Sequence, residues 1–141
     1  MKRNHFIKAL CLTAGATTLL GSCASGAAQQ DAPVTDNESG HILHSVYFWL
    51  KPGLSAEEEQ DFLNFFEALK KVPGIHAFQV GKPAPTTPRD VVDNSFSYAI
   101  YVTFRTMEDI NTYEKHPDHL AASEKYGKYW TKVEVKDSIL V

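Results

Sequence analysis

The chain has 141 residues, 43% of them hydrophobic and 22% charged, which is room for one compact domain plus an appendage and excludes long-range disorder. Its 14 lysines and arginines against 17 aspartates and glutamates leave a net charge of −3, so there is no broad basic field for a polyphosphate partner and nucleic acid is not an expected ligand. Both cysteines, Cys11 and Cys23, lie near the start, which leaves the body of the chain without a disulfide, a thiolate nucleophile or a cysteine-based zinc site.

Residues 1–8 carry Lys2, Arg3 and Lys8, and residues 9–20 are uncharged but too few for a comfortable permanent span, the pattern of a signal peptide. The stretch ends Leu19-Leu20-Gly21-Ser22-Cys23, which resembles the lipobox of bacterial lipoproteins: an aliphatic residue three before the cysteine, small residues between, and a thiol to accept the diacylglyceryl group. The expectation is that residues 1–22 are removed and Cys23 is acylated as the new N-terminus. Two or three acyl chains, at about 0.8 kcal/mol per buried CH₂, suffice for stable membrane anchoring. Loss of Lys2, Arg3 and Lys8 leaves the remainder more acidic by three charges, so an anionic lipid surface is an unfavourable resting place for the domain. Residues 23–40, with Asp31, Pro33, Asp36, Asn37, Glu38, Ser39 and Gly40, have almost nothing to bury and read as a tether. Ala24 after the cysteine resembles the signal to proceed to the outer membrane, so the expected address is the periplasmic face of that membrane in a bacterial envelope.

Residues 41–141 read as one domain. From 41 to 51 the chain alternates, with Ile42, His44, Val46, Phe48 and Leu50 on one face of a strand and Leu43, Ser45, Tyr47 and Trp49 on the other. Pro52-Gly53 breaks the strand, and Ser55-Ala56-Glu57-Glu58 is a capping box that starts a helix. Phe62, Phe65, Phe66, Leu69 and Val72 recur at helical spacing, against polar Glu57, Glu58, Asp61, Asn64 and Lys71, until Pro73-Gly74. Residues 75–80 form a second strand. Pro83, Pro85 and Pro88 then keep the following segment out of a sheet ladder.

Residues 96–104 restore period two, with Phe96, Tyr98, Ile100, Val102 and Phe104 on one face of an expected central strand. Thr106 caps a short helix carrying Met107, Ile110 and Tyr113, His116-Pro117 interrupts it, and a further helical stretch runs to Gly127. Residues 130–141 close as a strand in which Val133 and Val135 alternate with Lys132, Glu134 and Lys136. The order β-α-β-β-α-β predicts an α+β, ferredoxin-like antiparallel sheet with helices on one face. The other face, bearing Tyr47 and Trp49, is too aromatic for plain exposure, and a twofold homodimer through that face is the expected cover.

The segment His44-Ser45-Val46-Tyr47-Phe48-Trp49-Leu50-Lys51, the Val72-Pro73-Gly74-Ile75 turn, Val80-Gly81, and Tyr113-Glu114-Lys115-His116-Pro117-Asp118-His119 resemble the stress-responsive α/β-barrel (Dabb) family over residues 41–141. The resemblance implies ferredoxin-like protomers that dimerise through their sheets into a barrel. Most members have no assigned chemistry. One plant member is a cofactor-free polyketide cyclase whose Tyr and His catalytic pair falls in the same Tyr-x-x-His-Pro-x-His stretch, matching Tyr113 and His119.

An aldol-type cyclisation needs a base near neutral pKa and a hydrogen-bond donor for the oxygen that becomes anionic, and His119 and Tyr113 suit those roles. His44, a polar group in an apolar wall, is the third candidate, as an orienting partner. Phe48, Phe66, Phe96, Tyr98 and Trp130, with Tyr113, are expected to line a pocket gated by the loop over residues 82–93. His116 and His119 straddle a helix start and no carboxylate stands at evident ligand spacing from the histidines, so no metal is expected; that no cofactor is needed is what the resemblance implies. The expected function is binding of a small apolar or aromatic molecule by a lipid-anchored homodimer. The alternatives are a cofactor-free cyclase, isomerase or decarboxylase using the His/Tyr pair, and an envelope stress interaction module without a ligand.

Overall fold

The computed structural model describes residues 38–141; the expected signal peptide, the expected acylation site at Cys23 and most of the expected tether fall outside those residues. The elements are β1 (Ile42–Leu50), α1 (Ala56–Leu69), β2 (Ile75–Gly81), β3 (Tyr98–Phe104), α2 (Met107–Lys115), α3 (Pro117–Tyr126), a 3-10 turn (Gly127–Tyr129) and β4 (Trp130–Ile139). The four strands make one antiparallel sheet in the order β2-β3-β1-β4. This is the ferredoxin-like α+β arrangement, with β1 and β3 in its interior.

Local chemistry accounts for the element ends. The Ser55 hydroxyl accepts from the Glu58 amide while the Glu58 carboxylate accepts from the Ser55 amide, and Thr106 and Asp109 repeat the device at the start of α2. Helix α1 ends at Leu69, short of Pro73, and the chain turns into β2 through Gly74 at φ +93°, a backbone that a residue with Cβ adopts only under strain. His116 closes α2 and opens α3: its Nδ1 accepts from the Asp118 amide at 3.2 Å, with Pro117 at the first helical position.

The helix-facing sheet residues Ile42, Val46, Phe48, Tyr98, Ile100, Val102 and Phe104 are buried against Phe62, Phe65, Phe66 and Leu69 of α1. Phe62 is at the centre, with six aromatic rings at centroid distances of 5.0 to 6.5 Å: Phe48, Phe65, Phe66, Tyr98, Tyr129 and Trp130. The edge-to-face and tilted geometries are those that aromatic quadrupoles prefer.

The opposite sheet face carries no helix among the described residues. Tyr47 and Tyr101 meet edge to face at 6.2 Å, and Lys132 Nζ lies 3.9 Å from the centre of the Trp49 ring. Phe96 corrects the sequence expectation. Strand β3 begins at Tyr98, and the Phe96 ring packs 5.1 Å from Tyr47 on the open face rather than beside Tyr98 on the helix side. Alternation governs side chains only within the ladder, and Phe96 precedes it. No helix among the described residues is long and apolar enough to cross a membrane.

Candidate functional site

The helices leave the β4 edge of the sheet incompletely covered. A cavity of about 470 Å³ opens there, between β1, β3 and β4 on one side and α1, α2 and α3 on the other. Val46, Phe48, Phe65, Leu69, Ile100, Trp130, Val133 and Val135 supply its apolar walls; His44, Tyr113, Glu114, His119 and Ser123 supply its polar groups. Val133 and Val135 are exposed at 38% and 48% although they face the helix side, because they wall the cavity instead of filling the core.

Of the residues singled out from the sequence, His44, Phe48, Tyr113, His119 and Trp130 line this cavity. The others do not. Phe66 is buried in the aromatic core. Tyr98 lines a separate depression beside Pro52 and Leu54, and its hydroxyl donates to Glu59, which also pairs with Lys82. Phe96 lies on the open face as described above. None of residues 82–93 is in the cavity wall, so the proline-rich loop does not gate it. That loop is tied instead to the sheet end near β3, where Trp49 donates to Ser95 and Asn94 donates to the Ala84 carbonyl.

The helix break at His116-Pro117 lets the chain double back, so that Tyr113 and His119 lie with ring centroids 4.7 Å apart. His44 reaches the same group from β1, 6.1 Å from the Tyr113 ring. His119 Nδ1 is 3.2 Å from the Glu114 carbonyl. A carbonyl only accepts, so this nitrogen carries the proton and Nε2 is the basic atom. Burial pushes His119 below the usual histidine range, opposed by its bond to Glu114 and assisted by His44; the ring is therefore neutral at physiological pH. Tyr113 is pushed the other way by burial, with the Glu114 charge adding to it, so its hydroxyl remains protonated and can donate.

Sequence reasoning missed Glu114, Ser123 and Asp137. Asp137 stands directly opposite His44 in the β1–β4 ladder, and its Oδ1 is 2.7 Å from His44 Nδ1. Only the strand register, not spacing along the chain, could have placed it there.

Fold and cavity together define a ferredoxin-like domain with a site between its sheet and its helices. The Stress Responsive A/B Barrel Domain (Dabb) family matches residues 42–140, and the chain belongs to that family. Among curated relatives it is similar to olivetolic acid cyclase of Cannabis sativa, 22% identical over 97 residues that span 68% of this chain and 93% of the relative. Among solved structures it is similar to hydroxynitrile lyase from Passiflora edulis, with a TM-score of 0.62, 18% identity, and coverage of 73% of this chain and 95% of the other. A dimeric protein of ferredoxin-like fold from Bacteroides fragilis matches with a TM-score of 0.56, 24% identity, and coverage of 72% and 97%.

Proposed function

We propose that this protein is a lipid-anchored, homodimeric Dabb protein of a bacterial envelope that binds a small apolar or aromatic molecule in the cavity beside Tyr113 and His119. The observation that carries the reading is the cavity itself: about 470 Å³, walled by aliphatic and aromatic side chains, with its polar groups His44, Tyr113, Glu114, His119 and Ser123 few in number. That volume lies in the range of small-molecule sites, and sparse polar groups orient a ligand whose affinity comes from apolar burial. The dimer follows from the uncovered sheet face with Leu43, Tyr47, Trp49 and Tyr101, and from the dimeric assembly of the Bacteroides fragilis neighbour. The anchor is supported by the lipobox-like Leu19-Leu20-Gly21-Ser22-Cys23.

The test is displacement of a neutral naphthalene fluorophore from the purified full-length chain, with Leu69→Trp as the cavity-filling variant. Saturable binding by the parent chain, lost in the variant, is the expected result. Equal fluorophore uptake by both overturns the reading. Cys23→Ser should release the protein from the membrane fraction; retention of the variant there would remove the anchor.

Catalysis is the second reading, favoured by the approach of Tyr113 to His119. With Nδ1 committed to the Glu114 carbonyl, His119 Nε2 would remove a proton next to a substrate carbonyl while the Tyr113 hydroxyl donates to the developing oxyanion. The names of the cyclase and the lyase among its similar proteins support this reading. The polyketide substrate does not carry over, because an envelope protein has no access to cytosolic acyl thioesters.

A further inference from the structure

Two of the polar groups in the cavity wall, His44 and Glu114, also meet a third side chain, Asp137, which lies outside that wall. His44, Glu114 and Asp137 come from β1, α2 and β4, and each places a donor atom within 4.8 Å of the other two. The His44 side chain is only 8% exposed, and its Nδ1 is 2.7 Å from Asp137 Oδ1. Glu114 belongs both to the cavity wall and to the shallow groove on the other side, where Asp137 and Ser138 sit. Neither carboxylate has a lysine or arginine within salt-bridge distance among the described residues. Two carboxylates and one imidazole thus converge at a point with no basic side chain to balance them.

We infer that His44, Glu114 and Asp137 form a binding site for a divalent first-row transition ion, of which Zn²⁺ is the representative. The donor set selects the class. An imidazole nitrogen with only two carboxylates is a poor cage for Ca²⁺ or Mg²⁺, which ask for six or more oxygens, whereas zinc and its neighbours accept mixed nitrogen and oxygen donors. Two carboxylates with a neutral imidazole also offset the ion's charge. Ligand bonds of about 2.0 to 2.2 Å put tetrahedral donors roughly 3.3 to 3.6 Å apart, a modest opening from the present 2.7 Å contact. Asp137 can make it, since its side chain is half exposed near the end of an edge strand.

With the ion on Nδ1, the neutral His44 ring holds its proton on Nε2, so the hydrogen bond to Asp137 Oδ1 gives way to a bond from each atom to the ion. Three protein donors leave a fourth position open. Because His44 and Glu114 belong to the cavity wall, that position would be filled by water or by an oxygen of whatever occupies the cavity.

The experiment uses the full-length chain, freed of any histidine tag, stripped with a chelator and titrated with Zn²⁺ by calorimetry. Co²⁺ serves as the visible-absorption probe. Saturation at one ion per chain is expected, with a visible Co²⁺ band that Zn²⁺ abolishes. Asp137→Asn and Glu114→Gln, both at exposed positions, should each weaken binding by about tenfold or more while the metal-free protein keeps its melting temperature. His76→Ala and His116→Ala, which remove the rival pairs His41–His76 and His116–Asp118, should leave the affinity unchanged. The inference is overturned if no saturable binding occurs, if both carboxylate variants bind as the parent does, or if a rival variant removes the site. In the first case His44 and Asp137 are a plain hydrogen-bonded pair. Fluorophore uptake is measured separately on the metal-stripped chain, so either result stands without the other.

Discussion

Tyr113 and His119 face each other across a helix break, ring centroids 4.7 Å apart, with Tyr113 in α2 and His119 in the first turn of α3. His119 is held by one hydrogen bond to the Glu114 carbonyl and is only partly buried. His119→Gln should therefore cost no more than about 1 kcal/mol of stability. Once a substrate is found, the same variant should lower kcat by about 10²- to 10⁴-fold. Thermal melting and steady-state kinetics on one preparation check both; a large fall in melting temperature would mark His119 as a structural residue.

Phe62 is fully buried and touches six other aromatic rings. Phe62→Ala should cost about 3 to 5 kcal/mol, because the neighbouring rings are held from several elements and cannot collapse into the space. Denaturant unfolding measures this as a fall in midpoint. Leu63 on the same helix is only partly buried against that cluster, so Leu63→Ala should cost clearly less.

The Tyr129 hydroxyl donates to Asp61 Oδ2 at 2.6 Å, and this bond is the main cause of a lowered Asp61 pKa, with Asn64 adding to it. A carboxylate whose folded value lies below its unfolded one stabilises the fold above the unfolded value, about 3.9 for aspartate, and loses that contribution as pH falls through the folded value. Tyr129→Phe should move the Asp61 titration upward toward the ordinary range, followed by carboxyl-carbon NMR. The difference in stability between parent and variant should shrink at the acid end of the profile.

Tyr101 lies within the open sheet face, opposite Ser45 on one side and Gln79 on the other. If a second copy covers that face, Tyr101→Asp buries a charge without a partner and should shift sedimentation from dimer to monomer at micromolar concentration. Far-UV circular dichroism of the variant should match the parent. A parent chain that sediments as a monomer would remove the dimer from the proposed function.

The periodicities along the chain determined the elements and their order. Ser55 with Glu58, Thr106, and His116-Pro117 mark helix boundaries through contacts made within three residues, and Phe62, Phe65, Phe66 and Leu69 mark the buried face of α1 at helical spacing. Strand alternation likewise separated Phe48 from Trp49 and Val135 from Lys136. Such signals are readable because they express local backbone geometry and the side on which apolar surface must be hidden.

Tertiary structure alone decided what those faces enclose. Phe96 left its expected face because it precedes the ladder, and Tyr98 and Phe66 went into packing away from the cavity. Asp137 became a partner of His44 through the β1–β4 register, and Glu114 joined them through the placement of α2 over the sheet. Register and helix placement are set by the summed packing of the whole domain, so residues far apart in the chain carry no local mark of meeting.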